Sequence, residues 1–226
     1  TEAANHALSP IIRGGGQEMH VSKLYLSETE HPCVLEGGRF AVADIIQIPV
    51  LPSGQIDLIA LEEMLNAHDA SSGIPMVAVQ YANNETGVIQ SLKEIAELVH
   101  NIDGFLVVDA VQALGKIEFS LEETEADFLI LSSHKIGGPQ GAGALVLRNA
   151  ALSPLPLSKG GGQESYHRGG TENVAAISGF GAACDWHAER FSENTRKKVS
   201  ISDVRDSIEE QLVTISQQRG NKIGPP

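Results

Sequence analysis

Short apolar segments of strand length alternate along this chain with segments of helical spacing, and this alternation limits the folds open to it. Between several of the apolar runs lie stretches with helical periodicity, notably residues 58–68 and 92–101. Strands that alternate with helices predict an α/β domain with a mostly parallel central sheet flanked by helices. The predicted strands are residues 24–26, 45–50, 76–81, 105–109, 128–131 and 144–147.

The chain after residue 174 has a different pattern, in which helical spacing continues for a long way. Gly179 and Gly181 are candidate kinks in this helix, and the polar residues 192–195 are a candidate break. Helical spacing returns at residues 204–212, and the Gly/Pro-rich residues 219–226 suit a frayed end or a linker.

Composition excludes several classes of protein. A formal net charge of −13 argues against direct binding to nucleic acid, which needs concentrated Lys and Arg. No apolar run reaches the length of a membrane span, so we expect no membrane insertion. Two cysteines in 226 residues provide neither a disulfide framework nor a spaced set of metal ligands. A reducing compartment, the cytoplasm, is therefore expected, with no metal site.

Polar residues that end the apolar runs are the first candidates for a site, because ligands of open α/β sheets bind beyond the carboxyl ends of the strands. Asp109 closes one such run and Lys135 follows another, on a turn rich in glycine. Each has an ordinary alternative: Asp109 as a helix cap or turn residue, and Lys135 as a solvated surface lysine. We expect these strand ends to converge at one edge of the sheet.

Taken together, these residues describe a single ligand, pyridoxal phosphate. This cofactor needs a lysine that forms an imine with its aldehyde and a carboxylate that keeps its ring nitrogen protonated. It also needs a cradle for its phosphate. Ser132 and His134 flank the lysine, and a helix beginning at Thr1 would supply a hydroxyl, free backbone N–H groups and a positive dipole end.

Several separate strings of the chain, from Thr1 to about Arg190, resemble the NifS/IscS-type cysteine desulfurases, which belong to the class V aminotransferase group of fold-type I pyridoxal-phosphate enzymes. The combination is more specific than any one string. The strings are Thr1-Glu2-Ala3-Ala4-Asn5, Thr29-Glu30-His31, Asn83-Asn84-Glu85-Thr86-Gly87, Val108-Asp109-Ala110-Val111-Gln112, Ser132-Ser133-His134-Lys135, and residues 160–163 followed by Arg168-Gly169-Gly170-Thr171-Glu172-Asn173.

The resemblance implies a role for each matching residue. Lys135 would hold the cofactor and act as a base on the substrate, and Asp109 would pair with the ring nitrogen. His31 would stack on the ring and assist proton transfer, whereas by itself it reads as a surface or capping residue. Asn84 and Gln112 would bind the side of the ring that carries its phenolic oxygen. The phosphate would be held by Thr1, Ser132 and His134.

The glycine-rich segment before residue 174 has two interpretations. By resemblance, Thr171 reaches the phosphate of a second subunit, which implies a homodimer. The alternative is a flexible connection, and the family usually has Ser where Gly169 or Gly170 stands. Glu85 is similarly open, because a catalytic carboxylate and a structural one fit its position equally well.

The resemblance also predicts the domain organisation. Residues 1–190 would form the cofactor-binding large domain, incomplete at its N-terminus, and residues 191–226 a connecting helix and the start of a truncated smaller domain. The family's catalytic cysteine lies in that smaller domain, and neither Cys33 nor Cys184 matches its position. We expect the chain as given to desulfurate L-cysteine poorly or not at all.

The implied activity of the family is conversion of L-cysteine to L-alanine, with the sulfur passed to an enzyme cysteine. That sulfur would supply a sulfur acceptor or an Fe–S scaffold protein, for iron–sulfur cluster assembly or tRNA thiolation. Two alternatives remain open. One is another class V enzyme, an aminotransferase or a selenocysteine lyase, and the other is a scaffold with this fold and no catalysis.

Overall fold

The computed structural model of this chain describes residues 1–191 and 201–218. Short 3-10 turns at Val42–Asp44, Ser133–Ile136 and Gln163–Tyr166 supplement the helices and strands. In chain order the latter are α1 Glu2–Ala7, β1 Ile11–Gly14, β2 Gln17–Ser27, α2 Pro32–Leu35, β3 Ile45–Ile48, α3 Leu58–Asn66, β4 Ile74–Gln80, α4 Leu92–His100, β5 Phe105–Asp109, α5 Leu121–Thr124, β6 Phe128–Ser132, β7 Gly143–Leu147, β8 Leu152–Pro154, α6 Val174–Phe191 and α7 Ile201–Gln218.

The strands form one mixed sheet in the order β7-β6-β5-β4-β2-β1-β8, with β3 pairing β2 as well. Its centre is parallel: β2 pairs β4, β4 pairs β5 and β5 pairs β6 in the same direction. Antiparallel pairing adds β7 at one side and the β1–β8 pair at the other. The predicted α/β fold with a mostly parallel sheet is therefore confirmed.

Residues of the central strands are buried on both faces of the sheet, which explains why their sequences are apolar without alternation. In β4, Val77 and Val79 join a cluster with helices α3 and α4, whereas Met76 and Ala78 join a second cluster that includes α1. Helix α4 buries the face that its sequence spacing predicts, formed by Leu92, Ile95, Ala96 and Val99.

All six predicted strands are present, but the sequence interpretation missed the hairpin of β1 and β2 and the short strand β8. Gly15 and Gly16 connect β1 to β2, both at positive φ, 58° and 78°. A two-residue connection in that conformation matches the twist of a hairpin and favours glycine. Strand β2 accordingly begins at Gln17, well before the predicted start at residue 24.

The predicted helices at residues 58–68, 92–101, 204–212 and from 174 onward correspond to α3, α4, α7 and α6. Helix α3 ends two residues earlier than predicted, at Asn66. The predicted break at 192–195 and the frayed end at 219–226 lie outside the described residues. In the described part of the chain, no helix combines the length and the apolar character needed to cross a membrane.

The chain divides into two compact units, Thr1–Asp185 and Trp186–Pro226. The sheet and its covering helices α1 to α5 lie in the first unit, together with every residue of the predicted site. The assignment of residues 1–190 to a cofactor domain and 191–226 to a second domain stays a prediction.

Candidate active site

The carboxyl ends of four neighbouring strands define one edge of the sheet. Because β2, β4, β5 and β6 run parallel, the segments that follow them lie along that edge. These segments are the turn with Thr29, Glu30 and His31 after β2, the turn at residues 83–87 after β4, the end of β5 at Asp109, and the 3-10 turn Ser133–Ile136 after β6. The predicted convergence of the candidate segments is therefore confirmed.

Asp109 is the most buried of the predicted site residues, with 8% of its surface exposed. Its Oδ1 accepts the backbone N–H of Val111 at 2.9 Å, so it makes the local turn contact that its position in sequence allowed. Burial raises the pKa of its carboxyl, while that N–H and the nearby charge of His31 act in the opposite direction. A cation placed against this carboxyl would therefore be bound favourably.

His31 is the N-cap of helix α2, so the ordinary capping interpretation is also correct for it. Its Nδ1 accepts the backbone N–H of Cys33 at 3.2 Å and lies 3.0 Å from the thiol of the same residue. The imidazole is exposed at the sheet edge, where a positive charge on the ring would lower the pKa of Asp109. Capping and proximity to Asp109 are compatible, since the cap uses one ring nitrogen and leaves the other.

The turn that carries His31 is bound to the end of β4 by side chains. Gln80 donates through Nε2 to the carbonyl of Thr29 at 2.7 Å and to its hydroxyl at 3.0 Å. Asn83 donates to the same carbonyl at 3.2 Å. The carboxyl of Glu30 accepts the backbone N–H of Gln80 at 2.6 Å. These contacts fix the position of His31 relative to β4 and, through it, to β5.

Lys135 lies exposed on the 3-10 turn after β6. The turn ends at Gly137, whose φ of 83° is the left-handed conformation that glycine adopts without strain. The hydroxyl of Ser132 lies 2.9 Å from Nδ1 of His134. Lys135 therefore has a free approach from solvent, with hydroxyl and imidazole groups on the same short segment.

A second lysine lies near Lys135. Burial and then the charge of Lys135 lower the pKa of Lys116, so the two amines lie within electrostatic range of each other. Lys116 donates to Oε1 of Gln112 at 2.5 Å and so holds the orientation of that amide. Gln112 thus lies on the Lys135 side of the strand ends, and its contact with the cofactor ring stays a prediction.

Thr1 lies at the N-terminus of α1, a helix packed against β6 and β7. Its hydroxyl makes no capping hydrogen bond, and its amino group acts electrostatically on Asp109 and Cys33. The structure therefore brings Thr1 to the same edge. Arg168 joins the later glycine-rich segment to this helix, through a 3.0 Å contact with Glu2.

Two predicted site residues are less closely tied to the cluster. Asn84 is exposed in the turn after β4, a turn that Asn83 organises by accepting the N–H groups of Glu85 and Thr86 at 2.8 Å. Thr171 is exposed in the segment before α6. Contact of Thr171 with a second subunit, and contact of Asn84 with a cofactor, stay predictions.

Four residues at or beside the candidate site were not predicted from the sequence to have a role there: Glu30, Gln80, Lys116 and Cys33. Gln80 had a detectable signal, because it is a polar residue that ends an apolar strand at a sheet edge where ligands bind. The other three are identified by contacts between distant parts of the chain. No group of three or more His, Cys, Asp or Glu residues suited to a metal occurs in the described ranges 1–191 and 201–218.

The donor and acceptor groups at this edge fit pyridoxal phosphate. A buried carboxyl whose pKa is raised by burial gains from a cationic ring nitrogen beside it. An exposed lysine after the neighbouring strand β6 can meet an aldehyde. Hydroxyl and imidazole groups of Thr1, Ser132 and His134, with the free N–H groups that begin α1, suit a phosphate.

Comparison with known proteins gives the class to which this fold and site belong. Residues 1–220 match the aminotransferase class V family, and the chain therefore belongs to that family. Within it, the similar proteins are cysteine desulfurases of the NifS/IscS type. Cysteine desulfurase IscS 1 of Archaeoglobus fulgidus is 37% identical over 222 residues, which cover 96% of this chain and 54% of the relative. The cysteine desulfurase of Nostoc is 33% identical over 216 residues, covering 94% and 51%.

Solved structures show the same similarity. The NifS-like protein of Rickettsia africae superposes with a TM-score of 0.74 at 34% identity, covering 85% of this chain and 52% of the other. A second NifS-like protein gives a TM-score of 0.72 at 32% identity, with the same two coverages. The chain thus spans about half the length of the relatives it matches, and it has the fold-type I architecture of pyridoxal-phosphate enzymes.

Proposed function

We propose that this chain is the cofactor-binding part of a pyridoxal-phosphate-dependent cysteine desulfurase. The observation that carries the proposal is the placement of Lys135 and Asp109 at the ends of the paired strands β6 and β5. Relatives up to 37% identical that are named cysteine desulfurases support the choice of reaction. L-cysteine is the proposed substrate.

Each residue at the edge then has a proposed task. Lys135 holds the cofactor covalently and moves a proton at the substrate α-carbon. Asp109 keeps the ring nitrogen protonated, so that the cofactor can accept electrons from that carbon. His31 stacks on the ring and donates or accepts a proton through Nε2. Gln112, held by Lys116, and Asn84 bind beside the phenolic oxygen of the ring.

The phosphate is assigned to Thr1, Ser132 and His134, with Thr171 of a second subunit completing the site. A homodimer follows from that assignment.

The proposed fate of the sulfur is transfer to an enzyme cysteine and then to an acceptor or Fe–S scaffold protein, for cluster assembly or tRNA thiolation. Two free thiols in the described residues suit the cytoplasm as the proposed location.

Reduction with borohydride tests the cofactor anchor. The purified chain is incubated with pyridoxal phosphate, reduced, digested and analysed by mass spectrometry. We expect a modified peptide that contains Lys135 and its loss in Lys135→Ala. Lys116→Ala is the matched control, because Lys116 is the neighbouring amine and should not carry the label. An adduct that remains in Lys135→Ala, or none in the wild type, contradicts the assignment.

Product analysis separates the proposed enzyme from others with this fold. A chain extended to the full length of the family is supplied with L-cysteine and a thiol reductant. A desulfurase forms L-alanine and sulfide without any 2-oxo acid. An aminotransferase requires the 2-oxo acid, a selenocysteine lyase acts on selenocysteine in preference, and a scaffold forms no product.

A further inference from the structure

The carboxyl of Glu30 is buried next to the proposed site, and no cation among the described residues pairs with it. Only 5% of the residue is exposed. Its Oε1 accepts the backbone N–H of Gln80 at 2.6 Å, and its Oε2 is buried with no hydrogen-bond partner in the described residues. None of the ion pairs within the described chain involves Glu30. A buried carboxylate with one hydrogen bond and no cation favours its protonated form.

A second carboxyl lies close by. Gln80, which Glu30 contacts, is paired directly with Asp109 across strands β4 and β5. Burial raises the pKa of Glu30 well above its usual range, the N–H of Gln80 lowers it, and the charge of Asp109 raises it further. The thiol of Cys33 on α2 also lies within electrostatic range of Glu30. Two carboxyls so placed do not both ionise readily.

We propose that Glu30 is a positioning residue that remains a neutral carboxylic acid at neutral pH. Its hydrogen bond with Gln80 attaches the turn that carries His31 to the end of β4. Because Glu30 is neutral, Asp109 carries the negative charge at this part of the sheet edge. The inference rests on the proposed function in one respect, the task of the negative charge on Asp109, which is to hold a protonated ring nitrogen. The protonation state of Glu30 is a property of the chain without cofactor.

Infrared difference spectroscopy tests the protonation state directly. At pH 7 the wild-type chain should show the carbonyl stretch of a buried carboxylic acid, and Glu30→Gln should lack it. Glu28→Gln is the matched control, because Glu28 also accepts a backbone N–H, that of Val50, but is exposed. That variant should keep the band. Absence of the band from the wild type, or its persistence in Glu30→Gln, overturns the proposal.

Stability against pH provides an independent test. The folded chain keeps the Glu30 proton above the ordinary glutamate pKa of about 4.3, whereas the unfolded chain releases it. The unfolding equilibrium constant of the wild type, relative to that of Glu30→Gln, should therefore increase about tenfold per pH unit until Glu30 ionises. A ratio that does not change with pH means that Glu30 is ionised in the fold, and the proposal fails.

Hydrogen exchange at the amide of Gln80 tests the positioning role. Glutamine can still accept this N–H, so exchange at Gln80 should stay slow in Glu30→Gln. In Glu30→Ala, which has no acceptor, the amide should exchange at least tenfold faster than in the wild type. Equal exchange in wild type and Glu30→Ala overturns the role. All three measurements use the chain without cofactor, so they distinguish this inference from the proposed function, whose failure appears as a missing Lys135 adduct. Absence of the infrared band from the wild type overturns the proposal even where a variant does not fold, and Glu30→Gln, which can keep the hydrogen bond to Gln80, assigns the band to Glu30.

Discussion

Nδ1 of His31 accepts the backbone N–H of Cys33 at 3.2 Å and lies 3.0 Å from the thiol of the same residue. A ring nitrogen that accepts an N–H bond carries no proton, so the neutral imidazole holds its proton on Nε2. The cap of α2 therefore also selects the tautomer of the residue that faces Asp109. One side chain thus serves the fold through Nδ1 and the proposed chemistry through Nε2.

Substitution of His31 should separate these two tasks. His31→Ala removes the cap and should lower the free energy of unfolding by about 1 kcal/mol. His31→Asn supplies another capping side chain, and we expect a value within a few tenths of a kcal/mol of the wild type. Both variants lose the imidazole, so both should lose the proposed proton transfer. Urea unfolding followed by circular dichroism checks the stabilities, and equal destabilisation by Ala and Asn would contradict the cap.

The two free thiols should react slowly with alkylating agents. Burial raises the pKa of Cys33, the amino group of Thr1 lowers it, and the charge of Asp109 raises it. Burial and then Asp185 raise the pKa of Cys184. Because the thiolate is the reactive form, iodoacetamide at pH 8 should modify both several-fold more slowly than free cysteine. Mass spectrometry of timed digests measures each rate, with Cys33→Ser to assign the signals; a rate equal to that of free cysteine at either position refutes the prediction.

Asp109→Asn should stabilise the chain without cofactor and remove the proposed activity. Burial raises the pKa of Asp109 in the folded chain above its value in the unfolded chain. The stability that this group contributes is therefore fully present at pH values below the unfolded pKa, and it is lost as the pH rises through the folded pKa. Asparagine has no charge to bury and can still accept the N–H of Val111. Unfolding at pH 7 should therefore occur at higher urea concentration in the variant than in the wild type.

The same substitution should reduce the proposed activity in a chain extended to the length of the relatives. Loss of the charge that holds the ring nitrogen should lower turnover of L-cysteine by on the order of a hundredfold, as removal of other preorganised polar groups facing a reacting centre does. Alanine formation measures it. A variant that is less stable than the wild type at pH 7 contradicts the stated direction, and unchanged turnover contradicts the role of Asp109.

The sequence was sufficient to predict the sheet because its central strands are buried on both faces and so are apolar throughout. The polar residues that end such runs, Asp109 and Ser132, stand out for the same reason. Strands β1 and β8, at one side of the sheet, were missed because β1 and the start of β2 are partly exposed and β8 has only three residues. Their pairing depends on tertiary contacts rather than on a local apolar run.

Supporting residues of the site could not be predicted from one sequence. Glu30 and Gln80 are 50 positions apart, and their hydrogen bond exists only because β2 and β4 are neighbours in the sheet. Lys116 has a local partner in Gln112, but its proximity to Lys135 depends on the pairing of β5 with β6. The residues proposed to bind the ligand come directly after strand ends in the sequence. The residues that hold them in place are identified only by the order of the strands in the sheet.

Packing of α6 against the Lys135 loop gives the last prediction. A Cβ on Gly179 would lie 2.5 Å from Cγ of Pro139, whereas a Cβ on Gly181 would meet no described residue within 4 Å. Gly179→Ala should therefore push α6 away from the loop and lower the free energy of unfolding by about 1–3 kcal/mol. Gly181→Ala should raise it by about 0.5–1 kcal/mol, because alanine suits a helix interior better than glycine.

The same pair of substitutions connects the helix to the site. Pro139 follows Lys135 by four residues on the same loop, so displacement at Gly179 should also reduce the yield of the borohydride-trapped adduct at Lys135. Gly181→Ala should leave that yield unchanged. Urea unfolding and quantitative mass spectrometry on both variants measure the two effects. If Gly179→Ala matches Gly181→Ala in stability and adduct yield, close contact between α6 and Pro139 does not hold the loop. If stability falls but the yield does not, the contact supports the fold without positioning the lysine.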